Sequence, residues 1–176
     1  MNKLTIAMTA ALSLGLLVMD AAQAAGRFHA GGSAVTEQGA VSGRGAAVRG
    51  PNGGGMVRGR GAAIDSQGNF VSGGGGAFNT GTAQGVRAGR TTGTVGAGIQ
   101  HQSGMAVQGV RGSATSSGAF NTDGAGGASG SRTTSANSSS SGASYTGSTS
   151  YERGSGANHT SSCTDYYGNP VSCSRP

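Results

Sequence analysis

Every leucine in the chain, Leu4, Leu12, Leu14, Leu16 and Leu17, falls before residue 18. From residue 25 onward the bulky apolar residues Val, Ile, Phe and Met number only 18. A leucine-rich core is therefore excluded, and with it an ordinary helical domain or a cored enzyme domain. Glycine makes up 37 of the 176 residues, and each one has more backbone freedom to lose on ordering than any other residue type. Two states fit these limits. One is a disordered chain. The other is a repetitive β-structure held by main-chain hydrogen bonds and close Gly/Ala packing. The net charge of +6 is too small for self-repulsion alone to keep the chain open.

The leucines belong to an address label. Lys3 precedes an uncharged apolar run from Leu4 to Met19, Asp20 closes it, and Ala22-Gln23-Ala24 follows. This is the order of a secretory signal peptide, with small residues at the cleavage positions. It predicts a signal helix over residues 1–24, cleaved between Ala24 and Ala25. The apolar run is shorter than the roughly 20 residues a spanning helix needs. No second such run follows, so the mature chain is expected to lack a transmembrane segment. The expected location is secreted, periplasmic or cell-surface. Cys163 and Cys173 are the two cysteines, and an even, close pair in an exported chain reads as a disulfide.

Beyond the label, composition divides the chain into four parts. Residues 25–42 are small and polar and read as a flexible segment. Residues 43–134 are Gly-rich and carry most of the Val, Ile, Phe and Met. Residues 135–158 turn to Ser and Thr and read as a flexible spacer. Residues 159–176 form a tail holding both cysteines, a disulfide-locked hairpin. The middle part is punctuated by turn signals. Pro51-Asn52-Gly53-Gly54 and Asp65-Ser66-Gln67-Gly68-Asn69 lie between short runs rich in β-branched, aromatic and alanine residues, which is a hairpin pattern. The spacing predicts strands of about 7–10 residues. The fold class is therefore mainly β: a Gly-rich antiparallel meander of hairpins.

Two internal echoes support repetition. Gly76-Ala77-Phe78-Asn79-Thr80 recurs as Gly118-Ala119-Phe120-Asn121-Thr122, and Arg90-Thr91-Thr92 recurs as Arg132-Thr133-Thr134. These suggest a duplicated strand–turn–strand unit. Asp65-x-x-Gly68-Asn69-x-Val71-Ser72 is matched by Asp165-x-x-Gly168-Asn169-x-Val171-Ser172. Glutamines at 38, 67, 84, 100, 102 and 108 follow no regular period, and no family is assigned.

From Gly53 to Gly93, Gly favours odd positions, although Gly74, Gly76 and, just beyond, Gly96 and Gly98 break the pattern. Even positions carry Met56, Arg58, Arg60, Ala62, Ile64, Phe70, Phe78, Val86 and Arg90. Side chains alternate across a strand, so this predicts one nearly bare face and one face of bulk and charge.

Little catalytic chemistry is available. The carboxylates after residue 24 are Glu37, Asp65, Asp123, Glu152 and Asp165, and His29, His101 and His159 are far apart in sequence. No catalytic, cofactor-binding or metal-ligating residue is singled out, and the chain reads as a non-enzyme. The basic residues after residue 24 are all Arg. Six precede Gly: Arg44, Arg49, Arg58, Arg60, Arg111 and Arg153. Such arginines can grip a polyanion by phosphate contact and stacking, or guard sheet edges against pairing. The leading expectation is an exported structural or surface- and matrix-associated protein. It would associate non-covalently with itself or with a cell-envelope or matrix component. The alternative is a flexible binder of extracellular polyanions such as DNA, acidic polysaccharide or lipopolysaccharide.

Overall fold

The computed structural model describes residues 26–173. The signal-peptide expectation, including Ala24 and Ala25, lies outside the described residues. One antiparallel sheet accounts for the fold, with its strands in sequence order from one edge to the other. They are β1 (Gly26–Thr36), β2 (Gly39–Arg49), β3 (Gly55–Asp65), β4 (Asn69–Asn79), β5 (Ala83–Thr94), β6 (Gly98–Gly109), β7 (Gly112–Thr122), β8 (Ala128–Ser138), β9 (Ser144–Glu152), β10 (Gly156–Thr164) and β11 (Pro170–Val171). β1 to β10 run 9–12 residues each, slightly longer than expected. β1 pairs only with β2, so the sheet is open.

The expected meander is present, and it extends further than composition suggested. Of residues 25–42, expected to be flexible, those from 26 onward form β1 and the start of β2. Residues 135–158, expected to be a spacer, form the end of β8, all of β9 and the start of β10. A ladder of main-chain bonds needs no apolar side chains, and the β-branched Thr residues suit a pleated surface. The Ser/Thr composition therefore does not interrupt the sheet.

Turn chemistry fixes the hairpins. Asp65 Oδ1 accepts hydrogen bonds from the main-chain nitrogens of Gln67 (2.9 Å) and Asn69 (2.8 Å), and Oδ2 accepts one from Asn69 Nδ2 (2.9 Å). Asp165 repeats this with Tyr167, Asn169 and Asn169 Nδ2 at 2.9, 2.8 and 3.1 Å. The hundred-residue echo is thus one turn used twice. Gly68 and Gly168 take φ of +80° and +83°, a conformation that strains any residue with a Cβ. The Asn69 and Asn169 side-chain bonds are the main influence that holds each aspartate below its ordinary pKa.

The 42-residue echo is a repeated hairpin in sequence only. β4–β5 and β7–β8 contain the two copies, but their registers differ. Phe78 faces Gly85, whereas Phe120 faces Gly130. The longer β7–β8 turn delays pairing, so Arg90 and Arg132 end on opposite faces of the sheet. The odd–even reading holds within β3; in β4 Phe70 and Phe78 keep it, but Gly74 and Gly76 stand at even positions opposite Arg60 and Arg58. It inverts in β5, because Asn79 faces Gln84 across the β4–β5 turn. Val86 and Arg90, expected among the bulky residues, therefore join the bare face.

Following register from strand to strand gives straight rows across the sheet. One face carries Phe28-Ala47-Val57-Ala77-Val86-Ala106 and, beside it, Ala30-Gly45-Gly59-Gly75-Ala88-Gly104. We call this the glycine face. From β7 onward the same rows continue as Thr115-Ser135-Thr146-Ser162 and Ser117-Thr133-Ser148-Thr160. Among the described residues, Ala46 and Ala47 are the buried apolar side chains, at 9% and 7% exposure. On the other face the three phenylalanine rings of β4 and β7 each lie over a cross-strand glycine. A Cβ on Gly85 would come within 2.5 Å of the Phe78 ring, one on Gly93 within 2.9 Å of Phe70, and one on Gly130 within 3.1 Å of Phe120. Glycine here makes room for a ring that shields the backbone.

Candidate functional site

The second face has a distinct centre. Its two middle rows are His29-Ala46-Arg58-Gly76-Arg87-Met105-Ser116-Thr134 and Gly31-Arg44-Arg60-Gly74-Gly89-Ser103-Gly118-Arg132. Five arginines thus share one band, and all five are exposed. Apolar margins flank it. Val48, Met56 and Phe78 form the adjoining row on one side, and on the other the row Ser42-Ala62-Ser72-Thr91-His101 separates the band from Ile64, Phe70 and Ile99. Two connected grooves of about 750 and 790 Å³ open on this face and share Arg44, Arg60, Gly74 and Gly89 in their walls.

Local contacts order the band. Gly74 and Gly76 receive the stems of Arg60 and Arg58, whose Cβ atoms would stand 3.1 and 3.4 Å from a Cβ placed there. Ser116, buried to 7% exposure, donates to Thr133 O at 3.1 Å and bonds Thr134 Oγ1 at 2.9 Å. It also accepts from Arg132 Nε at 2.9 Å. This places Arg132 across β7. Two histidines on the same face pair with cross-strand threonines: His101 Nδ1 with Thr91 Oγ1 and His159 Nδ1 with Thr149 Oγ1, both at 2.8 Å.

No strand carboxylate shares this face. Glu37, Asp123 and Asp165 lie in turns, Asp65 closes β3 at a turn, and Glu152 sits on the opposite face. The band is therefore uniformly positive, and its arginines are not neutralised from within their own face.

The six Arg-Gly positions separate. Arg44, Arg58 and Arg60 fall in the band. Arg49 lies on the opposite face at the end of β2, Arg111 occupies the β6–β7 turn, and Arg153 occupies the β9–β10 turn. There Arg153 Nη1 donates to Gly126 O. The dipeptide was a poor guide because a following glycine does not decide which face an arginine occupies. Arg87 and Arg132, followed by Ala88 and Thr133, were missed. Strand parity carried across each turn would have found them, had the turn lengths been legible.

The cysteines are where expected. Cys163 and Cys173 are disulfide-bonded with Cα atoms 5.4 Å apart, beside the Cys163↔Val171 pair of the short β10–β11 hairpin. Such a bond fits an oxidising compartment. Among the described residues, no helix is long and apolar enough to cross a membrane, and no group of three His, Cys, Asp or Glu is placed to hold a metal.

Compared with protein-family models, with curated proteins and with solved structures, the chain matches none.

Proposed function

We propose that this is an exported, non-catalytic structural protein that acts by non-covalent association, foremost with further copies of itself. The observation that carries this reading is the single layer. A sheet gains independent stability when an apolar face packs on something, yet here no second layer of the described chain packs on the glycine face, and in its first row Ala47 alone is buried. Val86 remains 57% exposed. On this face two rows of Gly, Ala, Val and Phe28 cross β1–β6 and two more of Gly, Ala and Val cross β1–β4, roughly 600 Å² at standard strand spacings, with Arg90 and Gln102 at one corner. That approaches the roughly 800 Å² per partner of a standard-size interface. Glycines at its centre let a second sheet come close.

An envelope or matrix component with a flat, weakly polar surface could meet the same face. The disulfide supports a secreted, periplasmic or cell-surface setting. The scatter of the carboxylates away from the histidines supports a role without acid–base catalysis.

Sedimentation of the oxidised mature protein tests the reading. Concentration-dependent dimers or larger species are expected. Val57→Thr, which imposes the hydroxyl chemistry of β7–β10, should weaken association at least about tenfold, the loss of roughly 1.4 kcal/mol, without unfolding the sheet. A folded chain that stays monomeric at all concentrations would sink the proposal.

A further inference from the structure

We infer that the arginine band is a site for double-stranded nucleic acid, gripped through its phosphate backbone. This site uses the face opposite the one assigned to self-association, so either reading can fail without the other.

Four observations converge. First, Arg44, Arg58, Arg60, Arg87 and Arg132 lie in two adjacent rows that cross the strands. From β2 to β8 the band follows about 29 Å of sheet surface at the usual strand separation, and all five arginines line one groove of about 790 Å³, so their charge converges on one multiply charged polyanion. Second, no strand carboxylate shares the face, so the attraction for a polyanion is not cancelled locally. Third, every cation of the band is arginine, whose planar fork matches phosphate oxygens two at a time. Fourth, between Arg60 and Arg132 their row holds only Gly74, Gly89, Ser103 and Gly118, so no large side chain separates the two arginines.

The same rows identify which nucleic acid. Single-strand binders rely on aromatic platforms on which unstacked bases settle. From β1 to β8 neither middle row contains Phe, Tyr or Trp; Phe70, Phe78 and Phe120 stand over glycines outside them. A duplex already stacks its own bases and needs only phosphate contacts, which carry no sequence information.

Fluorescence anisotropy with the oxidised mature chain tests this. The probes are a duplex of about 20 base pairs, long enough to cross the band at 3.4 Å per pair, the matching single strand, and alginate as a competitor. The duplex should bind more tightly than the single strand, without sequence preference, and alginate should compete poorly. With five phosphates engaged, affinity should fall about 500-fold between 50 and 200 mM salt. Combining Arg58→Gln, Arg60→Gln and Arg87→Gln should flatten the log–log salt slope by about 2.7, and Arg58→Gln alone by about 0.9 if the triple variant does not fold. The corresponding Lys triple should keep the slope. Arg90→Gln with Arg111→Gln, outside the band, should leave it unchanged. A single strand or alginate bound as tightly as the duplex would overturn the assignment. So would a salt slope equally reduced by the Arg90/Arg111 pair.

Discussion

Strands β2–β5 and β7–β10 share one backbone plan and differ in almost everything attached to it. In the first group, Ala47, Val57, Ala77 and Val86 form a row on the glycine face, while Arg44, Arg58, Arg60 and Arg87 stand on the other. In the second, the row becomes Thr115, Ser135, Thr146 and Ser162, and the opposite face keeps Arg132 as the band's last arginine. Both groups nevertheless run uninterrupted through the same ladder. Sheet order in this chain thus resides mainly in main-chain pairing, which leaves side chains free to specialise by region. The first group supplies a close-packing surface and positive charge; the second supplies a wet hydroxyl surface.

The largest effect should come from filling a tight glycine in the first group. A Cβ on Gly75 would stand 2.8 Å from the carbonyl oxygen of Arg87. Gly75→Val should therefore cost about 2–3 kcal/mol, whereas Ser117→Val, on the same row in the second group, should change stability by no more than about 0.5 kcal/mol. Denaturant titration compares them, and equal costs would break the distinction. Next in size is the disulfide. Replacing Cys163 and Cys173 by Ser should remove on the order of 2–3 kcal/mol from the C-terminal hairpin through lost loop restraint. Hydrogen exchange should quicken around β10 and β11 and remain unchanged in β2–β5. A matching loss of protection in β2–β5 would show that the two regions unfold as one.

The smallest effect tests what the regions share. Asp65 and Asp165 are both held below their ordinary pKa, chiefly by the Asn69 and Asn169 side chains. A depressed carboxylate stabilises the fold above its unfolded value of about 3.9, and that contribution disappears as pH falls through the lower folded value. Acid should therefore loosen the β3–β4 and β10–β11 turns together. Asp65→Asn should remove the pH response of the first turn alone, seen as exchange of the Gln67 and Asn69 amides. An unaltered response there would assign the effect to another group.

Much of this architecture is legible in the residues, because turns and absences speak clearly. Pro51-Asn52-Gly53-Gly54 marks the β2–β3 connection, and the missing leucines exclude a conventional core. The alternation in β3 and β4 separates Met56, Arg58, Arg60 and Phe78 from Gly55, Gly59, Gly61, Gly73 and Gly75. The Ser/Thr strands escaped notice because hydroxyl side chains give no hydrophobic period to read. The band escaped because face assignment is carried through every turn, and Asn79 facing Gln84 reverses it. Arg87 could be placed beside Arg58 only once that register was known.

Each strand is bonded solely to its neighbours along the chain. Hairpins of this kind close on a microsecond scale, and low sequence separation between partners favours rapid folding. A chain delivered end-first, as during synthesis, could add one strand at a time without waiting for a distant segment to arrive. Trimming from either terminus should then yield a narrower ribbon with the same interior, so the molecule's width is set by how much of it has been made.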